Sequence, residues 1–245
     1  MNKNKAFNQI WMSIAQDLKE SIAKGELKPG QRLKIDEVTD RYGVSNTPVR
    51  EAFRYLATQG FVENIPRRKV IVKEYTLKEI EDIYAIHTVI EGLAAKLAAQ
   101  YYKEKELKKL EEVYRRMEKC FREGNLAKYI QADKEFHESF IGRSGNLLLV
   151  PLAENFSSLI ERFRFMTLRL PKRAGESLSE HKRILTAFRK HEPTAAEKEV
   201  KNHLVLSLEC VKHVYGSGTT PCFLQTESLG NSLRLRDKMT SLVIR

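Results

Sequence analysis

The run Gly43-Val44-Ser45-Asn46-Thr47-Pro48-Val49-Arg50-Glu51-Ala52-Phe53-Arg54-Tyr55-Leu56, followed by Gly60-Phe61-Val62, decides how this chain is read. Gly43 and Gly60 each stop a helix. Between them, Thr47 can cap a helix over about 47–59, with Pro48 at its first position, where a missing N–H costs nothing. Upstream, Ile10, Ile14, Leu18 and Ile22 step by four along one face and predict a first helix that ends at Gly25. Ile35 to Tyr42 predicts a short second helix. Downstream, Phe61 to Ile65 and Val70 to Val72 read as two strands joined by Pro66-Arg67-Arg68-Lys69, a basic hairpin tip. Helix, turn, helix and basic hairpin in that order make a winged helix-turn-helix. In such a unit the second helix enters the major groove of DNA with its N-terminal residues against the bases.

The residue types suit that task. Ser45, Asn46, Thr47 and Arg50 stand at or near the start of the recognition helix, with Arg54 one turn further. Asn can pair with adenine through two hydrogen bonds, and Arg with guanine or a phosphate. Arg67, Arg68 and Lys69 on the wing suit the sugar–phosphate backbone or a minor groove. From Lys24 to Lys73 there are eleven basic and six acidic residues, within a chain of net charge +11. A surplus of that size favours an anionic partner such as double-stranded DNA. No apolar run approaches a membrane span, and Met1 to Gln9 is polar with no secretory pattern. Three scattered cysteines without CxxC spacing fit a reducing cytoplasm.

Beyond residue 73 the periodicity becomes almost purely helical. Thr76-Leu77-Lys78-Glu79 is a capping box that opens a long helix to about Tyr101. Further helices are expected over roughly 104–123, 126–142, 147–169, 178–190 and 195–214, the last opened by Thr194-Ala195-Ala196-Glu197 as a second box. The expected fold is mainly α: an N-terminal winged helix-turn-helix over 1–73 and a C-terminal antiparallel all-helical bundle over 74–215. Residues 216–245 open with Gly216-Ser217-Gly218, read as a linker, and form a tail with no assigned role.

Within the bundle, Asp133 and His137 are four apart and share a helix face. His181 lies near the start of a later helix and His203 inside the last. One carboxylate and three imidazoles suit a divalent metal ion such as Zn²⁺, Ni²⁺ or Mn²⁺, provided the fold brings them together. HExxH, a nucleophile elbow, a P-loop and GxGxxG are all absent from the sequence.

The run that opens this section resembles the GntR family of bacterial transcription regulators, whose usual form has Arg where this chain has Asn46. Asn46 therefore shifts the expected base preference from guanine toward adenine. The bundle resembles the FCD effector-binding domain of the FadR-type branch. That likeness rests on Glu91-Gly92-Leu93-Ala94-Ala95, Asp133-Lys134-Glu135-Phe136-His137, Ser144-Gly145-Asn146, Glu180-His181-Lys182-Arg183-Ile184-Leu185 and His203-Leu204. The resemblance implies that Asp133, His137, His181 and His203 ligate a metal and that a small organic acid binds beside it. Many members carry Arg at the position of His87 to hold a carboxylate. Here that contact is expected from His87, Arg162 or Arg164.

These readings converge on a DNA-binding transcription regulator that acts as a homodimer on a palindromic operator and is controlled by an organic acid near the metal. The alternative reading, from the enzyme class, is a metal-dependent hydrolase with an accessory DNA-binding-like domain, since an Asp/His₃ site can also hold a reactive water.

Overall fold

The computed structural model describes residues 3–65 and 69–216. The wing tip Pro66-Arg67-Arg68 and the tail beyond Gly216, linker included, lie outside the described residues. The N-terminal elements are α1 (Lys3–Ala23), β1 (Arg32–Leu33), α2 (Ile35–Tyr42), α3 (Asn46–Thr58), β2 (Val62–Ile65) and β3 (Lys69–Val72). The three strands form one antiparallel sheet in the order β1-β3-β2. Six helices follow: α4 (Leu77–Tyr101), α5 (Glu104–Arg122), α6 (Leu126–Ile141), α7 (Leu149–Thr167), α8 (Arg173–Arg189) and α9 (Pro193–Gly216).

The winged unit forms as its apolar spacing dictates. Ile14, Leu18 and Ile22 of α1 pack with Val49, Ala52, Phe53 and Leu56 of α3. Gly43 leaves α2 with φ +63, a left-handed turn that glycine adopts without a Cβ penalty. Three expectations shift. The first helix starts earlier, at Lys3, and Ile10 is exposed because that turn projects past the core. The cap of α3 is Ser45 rather than Thr47, so Pro48 stands third in the helix, where its missing N–H is still harmless, and is buried. The two-residue strand β1 adds an element where no strand was expected.

In the bundle, Thr76 and Glu79 make the reciprocal capping box as expected. The second box does not form. Pro193 already starts α9, leaving Thr194 inside the helix, and Glu197 pairs with Lys96 and Lys201 instead. Helix α8 begins at Arg173, five residues before the expected start, because Lys172 absorbs the turn at φ +68.

Two apolar clusters organise the chain. One lies wholly in the bundle around Leu110, Met117, Phe136, Phe140, Ile184 and Phe188. The other is shared. Ile80, Ile83 and Tyr84 of α4, Leu159, Ile160 and Phe163 of α7 and Val211 of α9 join the core of the winged unit. Polar contacts reinforce the seam. The Tyr75 hydroxyl donates to the Gly60 carbonyl at 2.6 Å, Lys19 Nζ donates to Ser158 Oγ at 2.6 Å, and Arg162 donates to the Lys73 carbonyl at 3.1 Å.

Gly60 sits at the tightest point of this seam. Its φ is +74, and a Cβ there would lie 2.6 Å from Tyr75 Oη and 3.2 Å from a Leu159 methyl. Gly60→Ala is therefore expected to destabilise the protein by about 1–3 kcal/mol. Gly43→Ala faces open space at a similar φ and is expected to cost about 1 kcal/mol. Urea unfolding of both variants checks this, and equal costs would remove the steric contribution at the seam.

Candidate functional site

The expected recognition surface follows from α3. Its first turn leaves Ser45, Asn46 and Thr47 exposed, and Arg50 and Arg54 extend the same exposed edge. Arg54 pairs with Glu51 at 3.0 Å, while Lys69 is exposed where β3 leaves the wing. The unpaired N–H groups and positive dipole end of such a helix favour a phosphate. Arg67 and Arg68, also expected on the wing, fall outside the described residues.

The second site is buried in the bundle. Helix α6 presents Asp133 and His137, α8 presents His181 and α9 presents His203, and all four are at most 4% exposed. The ligand-capable atoms of the three histidines lie within 4.8 Å of one another. His137 Nε2 is 3.0 Å from His181 Nε2, and Asp133 Oδ1 is 3.2 Å from the same His181 atom. The His203 ring centroid lies 4.5 Å from that of His181 and 5.1 Å from that of His137.

Each imidazole is held from behind. His181 Nδ1 donates to the Ser177 carbonyl at 2.7 Å. His203 Nδ1 donates to Glu180 Oε2 at 2.7 Å, and Glu180 is itself clamped by both terminal nitrogens of Arg173, at 2.8 and 3.0 Å. His137 Nδ1 donates to Glu91. Each acceptor takes the Nδ1 proton, so in the neutral ring Nε2 is left with a bare lone pair. Bare nitrogens and the Asp133 carboxylate thus meet in an apolar interior, an arrangement that a cation satisfies. Ligand bonds of about 2.0–2.2 Å separate neighbouring donors by about 2.8–3.6 Å across octahedral and tetrahedral angles, a range that contains the two short distances here. The set can hold a divalent metal ion, with Glu91, Ser177 and Glu180 fixing the ring tautomers.

Electrostatics agree. Burial, reinforced by neighbouring His203, pushes the His181 imidazole down to about 3, and burial also lowers His203 against the pull of Glu180. Burial raises Glu180, but His203 and Arg173 outweigh it and bring the carboxyl to about 2. Asp133 is lowered because Arg164 and His181 overcome its burial. Glu91 is held well below the usual range by His137 and His87 in spite of burial.

Of the three residues expected at the effector, the structure brings two to this cluster. Arg164 Nε lies 3.0 Å from Asp133 Oδ2, and His87 Nε2 lies 2.5 Å from Glu91 Oε2. Arg162 points the other way. Its guanidinium covers Tyr75 and Phe163 at the seam with the winged unit. Residues 162 and 164 are two apart on one helix, and such neighbours do not share a face. Glu91, Arg173, Ser177 and Glu180 were assigned no role from the sequence. The legible signal was Glu91 four residues after His87 on a predicted helix.

Comparison with known proteins agrees with the fold and the order of units. Residues 12–72 match the family model of bacterial regulatory proteins of the gntR family, and residues 82–206 match that of the FCD domain. The HTH-type transcriptional regulator YdhC of Bacillus subtilis is 31% identical over 85% of this chain and 93% of its own length. The HTH-type transcriptional repressor RspR of Escherichia coli is 26% identical over 87% and 92%. The solved structure of E. coli McbR/YncC superposes with a TM-score of 0.75 at 21% identity, covering 84% of this chain and 98% of that one, which shows the fold. The relatives are transcription regulators rather than enzymes, which sets aside the metal-dependent hydrolase. Among the described residues no helix is long and apolar enough to cross a membrane.

A stability consequence follows from the buried imidazoles. A folded value of about 3 for His181 lies below its unfolded 6.5, so the unfolded chain binds more protons between the two. Stability is then fully present above pH 6.5 and is lost as pH falls, with the depressed carboxyls adding to the loss below about pH 4. In metal-stripped protein the urea midpoint is expected to fall from pH 6.5 toward 4, and His181→Gln to flatten the upper part of that decline. A midpoint independent of pH across this range would contradict a buried neutral imidazole.

Proposed function

The chain belongs to the GntR family of bacterial regulatory proteins and carries an FCD domain, and from that premise we propose that it is a metal-dependent transcription regulator controlled by a small organic acid. Residues 1–73 form the DNA-reading unit and residues 74–215 the sensing unit, with a homodimer engaging a two-fold operator. Ser45, Asn46, Thr47 and Arg50 face base edges, and Arg54, Arg67, Arg68 and Lys69 serve the backbone or a flanking groove.

The observation that carries the sensing half is the convergence of three imidazoles whose Nδ1 atoms are all hydrogen-bonded to fixed acceptors. His137, His181 and His203 would hold the metal, with Asp133 as the carboxylate ligand. The bound ion supplies a Lewis-acidic charge that anchors a carboxylate. Arg164 orients that carboxylate. Its Nη2 is buried without a hydrogen-bond partner among the described residues, as is His87 Nδ1. A ligand anion that takes Arg164 from Asp133 shifts α7, and α7 also packs against the winged unit. Binding therefore couples to the placement of the recognition helices.

Two measurements test this reading. Metal loading with Zn²⁺, Ni²⁺ or Mn²⁺ is expected to raise the melting temperature, and His181→Ala or His203→Ala to abolish that rise and the response to a chelator. Elemental analysis showing far less than one ion per chain after loading would overturn the metal. On operator DNA recovered by random-site selection, Arg50→Ala is expected to lose about 1–3 kcal/mol of specific binding. Asn46→Arg is expected to move one base per half-site toward guanine, and an unchanged preferred sequence would remove Asn46 from base reading.

A further inference from the structure

Helix α6 carries a charge directly behind each of the two residues it sends into the buried cluster. Asp133 is followed by Lys134, and His137 by Glu138. Consecutive residues on a helix stand about 100° apart, so a helix that turns Asp133 and His137 inward turns Lys134 and Glu138 toward a neighbour. That neighbour is α7. Lys134 Nζ lies 3.2 Å from Glu161 Oε2, with the two side chains only 32% and 19% exposed. Glu138, one turn beyond Lys134, is within electrostatic reach of both.

The winged unit arrives at the same place. Lys19 of α1 donates from Nζ to Ser158 Oγ at 2.6 Å, and the Ser158 hydroxyl donates in turn to the Glu154 carbonyl at 2.8 Å. Ser158 stands three residues before Glu161, on the same side of α7. The Lys19 ammonium also lies 5.3 Å from the centre of the Phe61 ring, which is fully buried where β2 begins. Burial pulls Lys19 below the usual lysine range. Glu161 opposes that fall most strongly, Lys134 adds to it and Glu138 opposes it. Two ammonium groups and two carboxylates from three helices thus act on one another at the junction of α1, α6 and α7.

This junction differs from the rest of the seam. The Tyr75 and Arg162 contacts end on the carbonyls of Gly60 and Lys73 and do not involve α6. Lys19 instead shares Glu161 with Lys134, which is covalently next to Asp133. Charges in a half-buried setting interact several times more strongly than in water. A shift of α6 that seats Asp133 and His137 on an ion carries Lys134 and Glu138 with it. The hold of Lys134 on Glu161 then changes, and with it the negative charge left for Lys19. Helix α1 passes that change on, because Ile14, Leu18 and Ile22 pack against α3.

We propose that Lys19, Lys134, Glu138 and Glu161 form a four-charge latch through which α6 reports the state of the metal centre to the winged unit. The proposal rests on the metal-dependent reading above and names the residues that regulate it. It gives Lys19 and Glu161 a positioning role, since neither touches the metal residues or the exposed edge of α3.

The test is operator affinity of the full-length protein, metal-stripped and Zn²⁺-loaded, by fluorescence anisotropy on DNA recovered by random-site selection. In the wild type the two affinities are expected to differ about fivefold or more. Lys19→Met and Glu161→Gln are each expected to shrink that ratio at least threefold, with about one zinc still bound per chain. The double variant is expected to lose no more than either single one, as residues in one network do. Lys19→Arg, which keeps the charge, is expected to retain the ratio. So is Lys24→Met, which removes an exposed charge paired with Glu20 on the same helix. Circular dichroism confirms folding, and Glu161→Gln decides the matter if Lys19→Met fails to fold. A wild-type ratio preserved in both single variants overturns the latch and leaves metal control standing. A wild type that binds zinc yet holds the operator equally well with and without it overturns the metal-dependent reading, and the latch with it.

Discussion

Lone pairs that face one another in an apolar interior are the constraint on which the helical half of this protein depends. Three imidazoles and a carboxylate meet where water is excluded, and every ring has its other nitrogen committed to Glu91, Ser177 or Glu180. None of the rings can turn away without stranding a buried carboxylate or carbonyl, and leaving such a group unpaired costs about 1–3 kcal/mol or more. The arrangement is thus fixed from outside, and a cation at its centre would satisfy the inward lone pairs. The helices α4, α6, α8 and α9 each contribute one part, so the cluster also fixes how these helices sit against one another.

Much of this was legible in the chain, and what was not has a physical cause. Asp133 and His137 declare themselves by a four-residue step, and the turn, helix and hairpin chemistry of the winged unit lies in consecutive residues. The outer acceptors do not. Glu180 is adjacent to His181 in sequence but serves His203 on the next helix, because neighbouring residues on a helix point in different directions. Arg162 and Arg164 looked equivalent on paper, yet the winding of α7 sends one to Lys73 and Tyr75 and the other to Asp133. The early start of α8 was hidden because a lysine, Lys172, takes the left-handed turn that precedes it. It matters because it delivers Arg173 two turns before Glu180, within reach of a bidentate pair.

Helix α7 is the element with two allegiances. Ser158, Leu159, Ile160, Arg162 and Phe163 belong to the seam with the winged unit, and Arg164 belongs to the buried cluster. A helix is stiff over this length, so a displacement felt at Arg164 reaches Phe163 one residue away without any relay of loops. The buried cluster and the seam with the winged unit are therefore separated by the width of a single helix.

The shared apolar core has a different implication. Phe61, Val62, Leu18 and Ile22 cluster with Leu159, Phe163 and Val211 of the bundle, so the winged unit finishes its interior with residues borrowed from the other half. Such a unit is no bead on a string. Cut free, it would present a greasy wound where α4 and α7 had lain, and the two halves should melt in one cooperative event. Evolution of the winged unit is then tied to that of the helical half: swapping one winged unit for another requires refitting the keel on which it rides.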